Sequence, residues 1–277
     1  MPTLAQAISH LQSQGLDLTD SRLLLLHALG KPRTGRAWLL AHDTDLIKEQ
    51  TLTTLEQLTT RRLAGEPVAY IVGHQEFFGL TLHVNSDVLV PRPDTETLVD
   101  WTLDVVAPTP TARMVDLGTG SGAIALALKA TRPSLQVEAV DYSDAALVVA
   151  QANAQRLGLA VAFSQGSWLS GTQGLFQAIV SNPPYIREND EHLPALCFEP
   201  REALTAGTDG LDDIRTIIEQ ARSRLHAGGW LLLEHGYDQA TDVRVLLEAA
   251  GFSSVQSRQD LAGIERCSGG QWPAPNL

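Results

Sequence analysis

Asn182-Pro183-Pro184-Tyr185 follows the apolar run Ala178-Ile179-Val180, which reads as a buried strand. Each proline ring holds φ near about −65° and removes an N–H, so two prolines after a strand set an extended turn with unpaired carbonyls. An amide side chain beside those carbonyls, with an aromatic ring three residues on, makes an acceptor-rich slot walled by a flat apolar surface. Such a slot suits a planar NH2 group. The lone pair of an amide or aryl NH2 is delocalised and the nitrogen is a poor nucleophile. A site that alkylates it should therefore grip both N–H bonds and leave the lone pair facing the donor. The alternative is an ordinary proline-rich turn. With Pro near 5% of average composition, Asn-Pro-Pro-aromatic arises by chance in a chain this long on the order of a few times in a thousand, which favours the chemical reading.

A second group of residues points to a nucleoside. Met114-Val115-Asp116-Leu117 reads as a strand that runs into Gly118-Thr119-Gly120-Ser121-Gly122 and then a helix. Glycines serve a sharp turn and let a ligand approach the backbone without meeting a Cβ. The stretch also satisfies Gly-x-Gly-x-x-Ala with Ala123 last, which a dinucleotide site accepts, and a plain strand-to-helix turn explains the glycines alone. Asp141 ends the next strand, about twenty residues on, where a carboxylate can accept from both ribose hydroxyls; otherwise it caps the helix after it. Trp168 has two readings, stacking near an adenine or covering the rim of the core. In an open α/β sheet, ligands sit outside the carboxyl ends of the strands, and all four features follow strands.

The elements that must position them alternate from Thr111 onwards. Strands are expected at Arg113–Leu117, Gln136–Val140, Val161–Ser164, Phe176–Ser181 and Trp230–Glu234, with helices at Ala123–Ala130, Ala145–Leu157, Asp212–Leu225 and Gln239–Ala250. This is the rhythm of a doubly wound α/β sheet. Phe252–Arg258 and Gly263–Cys267 are expected to add an antiparallel hairpin, unlike a dehydrogenase. Before the sheet, Pro91, Pro93, Asp94 and Glu96 open a helix through Val106. Residues 1–70 read as a small helical bundle. Leu4, Ala7, Ile8 and Leu11 recur at helical spacing, Thr19-Asp20-Ser21 can cap a run from Leu23 to Leu29, and Leu52, Leu55, Leu58 and Leu63 form one apolar stripe. From about Val68 to Val90 short β-like pieces, Glu76 to Phe78 and Leu80 to Val84, surround the turn residue Gly79, so 71–92 is expected to be a hairpin linker and 93–277 the large α/β domain.

A chain of 277 residues favours one large domain and a small one, and 44% hydrophobic with 19% charged residues excludes a disordered chain. The net charge of −12 argues against an extended nucleic-acid surface. Cys197 and Cys267 lack metal-ligand spacing and read as two reduced packing thiols. The first residues show no basic and apolar leader, and no stretch approaches a membrane span, so a cytoplasmic address is expected.

The Asp116–Gly122 loop, Asp141 and the Asn-Pro-Pro-Tyr tetrapeptide resemble a class I S-adenosylmethionine-dependent methyltransferase acting on planar NH2 groups. Pro91-Arg92-Pro93-Asp94-Thr95-Glu96, Ser181 to Ile186, Phe198-Glu199-Pro200-Arg201 with Ala203-Leu204, Asp209-Gly210-Leu211, and Gly228-Gly229-Trp230 through Glu234 and Gly236 narrow the resemblance. They resemble the protein-(glutamine-N5) methyltransferases that act on peptide chain release factors, the PrmC or HemK type. The resemblance covers essentially the whole chain, with Phe77-Phe78-Gly79 the weakest match.

The resemblance implies a Rossmann-like methyltransferase domain with an antiparallel C-terminal hairpin and an N-terminal bundle that docks the substrate. It implies Gly118, Thr119, Gly120, Ser121 and Gly122 under the methionine part of S-adenosylmethionine, Asp141 at the ribose, Trp168 by the adenine, and Asn182 shared between cofactor and substrate. Asn182, Pro183, Pro184 and Tyr185 form the catalytic set. Asn182 and the Pro183 carbonyl would accept from the target amide, with Tyr185 packed against its plane. The target implied is the glutamine of the Gly-Gly-Gln tip of class I release factors, with a monomeric enzyme, no nucleic-acid or membrane partner, and S-adenosylhomocysteine as product. No metal is expected, since the eight histidines show no paired ligand spacing. Three alternatives stand beside this: a glutamine of a large-subunit ribosomal protein, an adenine-N6 methyltransferase on DNA or RNA, and a non-catalytic module that keeps the fold.

Overall fold

Residues 1–33 and 35–274 are described by the computed structural model, and the chain divides into two units, Met1–His74 and Gln75–Leu277. In the first, α1 (Leu4–Ser13), α2 (Leu18–Ala28), α3 (Arg36–Ala41), α4 (Glu49–Leu63) and α5 (Val68–Val72) follow one another. Helix α1 opens with a reciprocal cap in which the Thr3 hydroxyl accepts from the Gln6 N–H at 3.2 Å and the Gln6 side chain accepts from the Thr3 N–H at 2.9 Å. Its Leu4, Ala7 and Leu11 pack with Leu24 and Leu25 of α2 and Leu55 and Leu58 of α4.

One expectation fails here. The cap of α2 is Asp17, whose carboxylate accepts from the Asp20 N–H at 2.8 Å, so Thr19-Asp20-Ser21 lie inside the first turn. Starting at Leu18 lets Ser21, fully buried, donate back to the Asp17 carbonyl at 2.7 Å. Val68–Val72 forms a further helical turn, with Pro67 before it and Gly73 at φ 78° ending it in a left-handed cap.

The hairpin β1 (His74–Phe77) and β2 (Leu80–His83) turns at Phe78 and Gly79, with φ of 48° and 74°. The Glu96 carboxylate accepts from the Phe78 N–H at 2.8 Å. A 3-10 turn, Pro93–Thr95, leads into α6 (Glu96–Val106). Then come β3 (Arg113–Leu117), α7 (Ala123–Thr131), β4 (Gln136–Asp141), α8 (Asp144–Leu157), β5 (Ala162–Gln165), β6 (Phe176–Ser181), α9 (Asp212–Ala221), β7 (Leu225–Glu234), α10 (Ala240–Ala249), β8 (Ser253–Gln259) and β9 (Glu265–Gln271). They form one seven-stranded sheet in the order β5-β4-β3-β6-β7-β9-β8, with the first five parallel and β9 antiparallel to both neighbours. Successive side chains face opposite cores, as the strand period requires. Ala178, Val180 and Leu232 meet α6 and α7 on one face, while Ile179, Leu231 and Leu233 meet α9 and α10 on the other.

The last third departs from the expected boundaries. Helix α9 ends at Ala221, and β7 begins at Leu225 and passes through Gly228 and Gly229, with a register shift against β6 between Phe176 and Ala178. A Cβ on Gly229 would lie 3.0 Å from the Phe176 carbonyl oxygen, so the irregularity rests on a bare glycine. Strand β9 runs on to Gln271 because Gly269 lets it close on β7. A Cβ there would meet the Leu231 carbonyl oxygen at 2.7 Å and Trp101 at 3.1 Å. We predict that Gly269→Ala lowers the unfolding free energy by about 1–3 kcal/mol, read as a shift of the urea midpoint at unchanged slope.

Candidate active site

The carboxyl ends of β3, β4 and β6 border a cavity of about 480 Å³ that touches Gly118, Gly120, Asp141, Trp168, Asn182 and Pro184. Thr119, Ser121, Gly122, Pro183 and Tyr185 do not line it. The glycine loop thus has two sides. Gly120, at φ 56°, has open space where a Cβ would stand. Gly122, at φ 84°, instead admits Leu126 and Ala150, whose atoms would lie 2.9 and 3.4 Å from its Cβ. Ser121 is buried, and its carbonyl accepts from the Asn153 amide at 3.0 Å.

Beneath the loop, Asp116 is fully buried. Its Oδ2 accepts from the Thr119 hydroxyl at 2.6 Å and the Ala125 N–H at 3.2 Å, while Oδ1 has no partner. Burial pushes its pKa up to about 7; the bonds from Thr119 and Ala125 oppose this and the charge of Asp141 adds to it. Asp141 joins two segments: Oδ2 accepts from the Gly120 N–H at 2.8 Å and Oδ1 from the Ser143 N–H at 2.9 Å. The cap of α8 is Ser143, which accepts from the Ala146 N–H at 3.2 Å, so Asp141 is not the helix cap. Burial raises the Asp141 pKa, against the pull of the Ser143, Gly120 and Tyr142 N–H groups.

Trp168 sits at φ 54° with its ring against Gly118, where a Cβ would come within 3.3 Å of it. It lines the cavity and also packs on the α9–α10 core, which bears out the reading of a core-rim residue. Asp213 is another carboxylate at the cavity, and burial raises its pKa, with Trp168 opposing the shift.

Strand β6 ends at Ser181, whose hydroxyl donates to the Leu117 carbonyl at 2.7 Å and ties the ends of β6 and β3 together. Asn182 follows, its Nδ2 donating to the Thr95 hydroxyl at 3.3 Å. The Tyr185 backbone is held on both sides. Its N–H donates to the Leu204 carbonyl at 3.2 Å, and its carbonyl accepts from Gln239 at 3.1 Å. Gly210 belongs to the same packing, since a Cβ on it would collide with the Tyr185 carbonyl. Burial drives the Tyr185 phenol well above its ordinary pKa, with the Glu234 charge adding to the shift.

Sequence reasoning named the Phe198–Arg201 and Pro91–Glu96 stretches without giving their residues a task. Glu199, buried, pairs with Arg92 and accepts from the Val90 N–H at 3.0 Å, so it joins the cavity segments 87–89 and 200–203. Asp213, Tyr142 and Glu202, also at the cavity, carried no sequence signal. Cys197 is exposed, against the expectation of a packing thiol, because it follows a short 3-10 turn at the surface; Cys267 is fully buried. Among the described residues no group of three or more His, Cys, Asp or Glu is placed to hold a metal ion, and no helix is long and apolar enough to cross a membrane.

Five parallel strands continued by an antiparallel β9 inserted beside β7, with a glycine loop after the first sheet strand and a carboxylate ending the second, define a class I S-adenosylmethionine-dependent methyltransferase. Residues 95–207 match the model of the methyltransferase small domain, and residues 3–73 that of the PrmC N-terminal domain. The chain is 48% identical over 264 residues to the release factor glutamine methyltransferase of Bordetella pertussis, covering 94% of this chain and 97% of that one. To the enzyme of the same name from Vibrio cholerae it is 46% identical, covering 97% and 95%. The chain belongs to the release factor glutamine methyltransferase family. A crystal structure of a methyltransferase from Pyrococcus furiosus shares the fold, with a TM-score of 0.55 at 18% identity over 79% of this chain and 100% of that one.

Asp116 gives a stability test. Its folded-state pKa is raised, so the stability due to its proton is full below its unfolded pKa near 3.8 and is lost as pH rises to about 7. In Asp116→Asn this dependence is absent. The wild-type urea midpoint should therefore fall relative to that of the variant across the same pH window.

Proposed function

We propose that this protein transfers the methyl group of S-adenosylmethionine to the side-chain amide nitrogen of the glutamine in the Gly-Gly-Gln motif of class I release factors. The observation that carries this reading is the convergence of Gly118, Gly120 and Asp141 with Asn182 and Pro184 on one cavity of about 480 Å³. The residues fit the donor. Gly120 leaves space at the backbone, and Asp141, which accepts from the Gly120 and Ser143 N–H groups, has lone pairs to offer the ribose hydroxyls. Trp168 offers a flat face beside Gly118 for the adenine. Bound there, S-adenosylmethionine supplies a methyl group on a cationic sulfur, which leaves as a neutral thioether.

Asn182 takes one N–H of the glutamine amide through Oδ1, and the Pro183 carbonyl takes the other. Holding both bonds localises the nitrogen lone pair and aims it at the methyl carbon. Held by Gly118, Gly120 and Asp141, the donor would supply an electrophilic methyl carbon and keep the S–C electron pair, and the amide would release one N–H proton to water. The raised pKa of Tyr185 keeps its phenol neutral, so the ring packs against the amide plane and is not the base. Pro183 and Tyr185 lie outside the cavity lining, in keeping with a cavity that holds the donor while these two meet the acceptor.

A glutamine of a large-subunit ribosomal protein would satisfy the same acceptors; family membership favours the release factor. Adenine-N6 chemistry requires a flipped base and a bound phosphate backbone, which the net charge of −12 opposes. The cytoplasm is the address such a substrate requires. The PrmC N-terminal domain, residues 3–73, is the proposed docking module, and the protein is proposed to act as a monomer.

Labelled-methyl transfer to release factor, ribosomal protein, DNA and RNA, with mass spectrometry of the product, tests the reading. Label should enter the release-factor glutamine; label only on nucleic acid would overturn it. Asn182→Ala should cut turnover on the order of 100- to 1,000-fold while weakening donor binding far less, as expected when one preorganised hydrogen-bonding group is lost. If removal of residues 1–70 leaves release-factor affinity unchanged, the docking role fails.

A further inference from the structure

Two features singled out in the sequence, Asp209-Gly210-Leu211 and Gly236, stand outside the cavity lining and have no task in the chemistry above. One side chain joins both to the tetrapeptide. Gln239 immediately precedes α10 and is 3% exposed. Its Oε1 accepts from the Gly236 N–H at 2.8 Å. Its Nε2 donates towards three carbonyls, those of Tyr185 at 3.1 Å, Asp209 at 3.3 Å and Gly210 at 3.4 Å. The amide can stand only this way round, since its oxygen would otherwise face three acceptors. The approach is close: a Cβ on Gly210 would collide with the Tyr185 carbonyl and lie 2.8 Å from Nε2, and one on Gly236 would lie 3.0 Å from Oε1. Bare glycines let these backbones close on one amide.

The tetrapeptide needs such a hold. Pro183 and Pro184 have no N–H, so backbone donors cannot fix the middle of the turn and it is held at its ends. At the front, β6 pairs with β3 as far as Ser181. At the back, the Tyr185 N–H donates to the Leu204 carbonyl at 3.2 Å and the Tyr185 carbonyl takes the shortest of the three Gln239 bonds. The Gln239 side of that bond is firm. Asp209 Oδ1 accepts from the Leu211 N–H at 3.1 Å, and α9 and α10 put Ile214, Ile217, Val243 and Leu247 into one core. Position thus passes from that core through one amide to the Tyr185 peptide.

We propose that Gln239 is a positioning residue for methyl transfer, holding the Pro183 carbonyl and the Tyr185 ring where they meet the acceptor amide. The inference rests on the function proposed above, in which these two groups receive the glutamine. Without the Gln239 amide, the carbonyls of Tyr185, Asp209 and Gly210 face one another with no donor between them. The Tyr185 peptide, which lies in no helix or strand, then turns away and takes the acceptor slot with it. The donor side is spared, because neither Gln239 nor any of its four partners lines the cavity.

The test compares wild type with Gln239→Met, which keeps the length of the side chain and loses its hydrogen bonds, and with Gly269→Ala as a variant weakened far from the site. Turnover on intact release factor, S-adenosylmethionine affinity by calorimetry and the urea midpoint are measured for each. Gln239→Met should lose on the order of 10- to 100-fold in kcat with donor affinity close to wild type, as expected when reacting groups are displaced without being removed. Gly269→Ala should lose midpoint and keep kcat. If Gln239→Met does not fold, Gln239→Asn carries the same test: it keeps the amide but is one methylene too short to span Gly236 and Tyr185, and its kcat should fall. Wild-type kcat in a folded Gln239→Met or Gln239→Asn, or an equal loss of kcat in Gly269→Ala, would overturn the positioning role alone. No transfer to release factor by the wild type would overturn the proposed function and this inference with it.

Discussion

The cavity depends on β3 lying hydrogen-bonded between β4 and β6. In that parallel register Leu117 stands level with Val140 on one side and Ser181 on the other, so the residues that follow, Gly118, Asp141 and Asn182, leave the sheet side by side. Parallel pairing leaves little room for slippage, because a shift of one residue would turn Val115, Ile179 and Leu231 from one core to the other. The two apolar cores thus fix the register, and the register sets the spacing of the polar groups at the sheet edge. The bond from the Ser181 hydroxyl to the Leu117 carbonyl holds the two strand ends together where the chain turns away.

Past the strand ends, side chains take over from the ladder. Asp116 anchors the underside of the glycine loop to the start of α7, and Asp141 holds its upper side to the start of α8. Glu199 does the same at longer range, joining the segment before α6 to the segment after β6. Each acid accepts from backbone or side-chain donors in two different segments, so the wall of the cavity is built from charge-assisted bonds that local sequence does not encode.

Much of the architecture was legible because it is written in local pattern. The bounds of β3 and β6 follow from short apolar runs bounded by glycine or proline, and the glycine loop, Asp141, Trp168 and Asn182 follow strand ends as the fold class requires. The errors lie where a single residue outweighs pattern. Gly228 and Gly229 let β7 begin early, and Asp17 displaced a cap expected among Thr19, Asp20 and Ser21. The division of the glycine loop into a cavity side and a packing side was not legible, because Gly120 and Gly122 differ only in what stands opposite their missing Cβ. Nor was the hydrogen bond from Asn182 to Thr95, which joins the end of β6 to the turn before α6 and not residues near in the chain.

Four acids, Asp116, Asp141, Asp213 and Glu234, stand at this edge of the sheet, and burial raises the pKa of every one. The fold therefore accepts a standing electrostatic cost in one place, since each is harder to ionise than it would be in water. The Thr119 hydroxyl and the Ala125 N–H offset part of it at Asp116, and the Ser143 and Gly120 N–H groups at Asp141. An edge of this kind favours a cationic ligand over a neutral one of the same shape, because the cation lowers the cost of ionising the acids around it. Once the charge is lost on transfer, that advantage disappears, and the neutral product is held only by the contacts the two forms share.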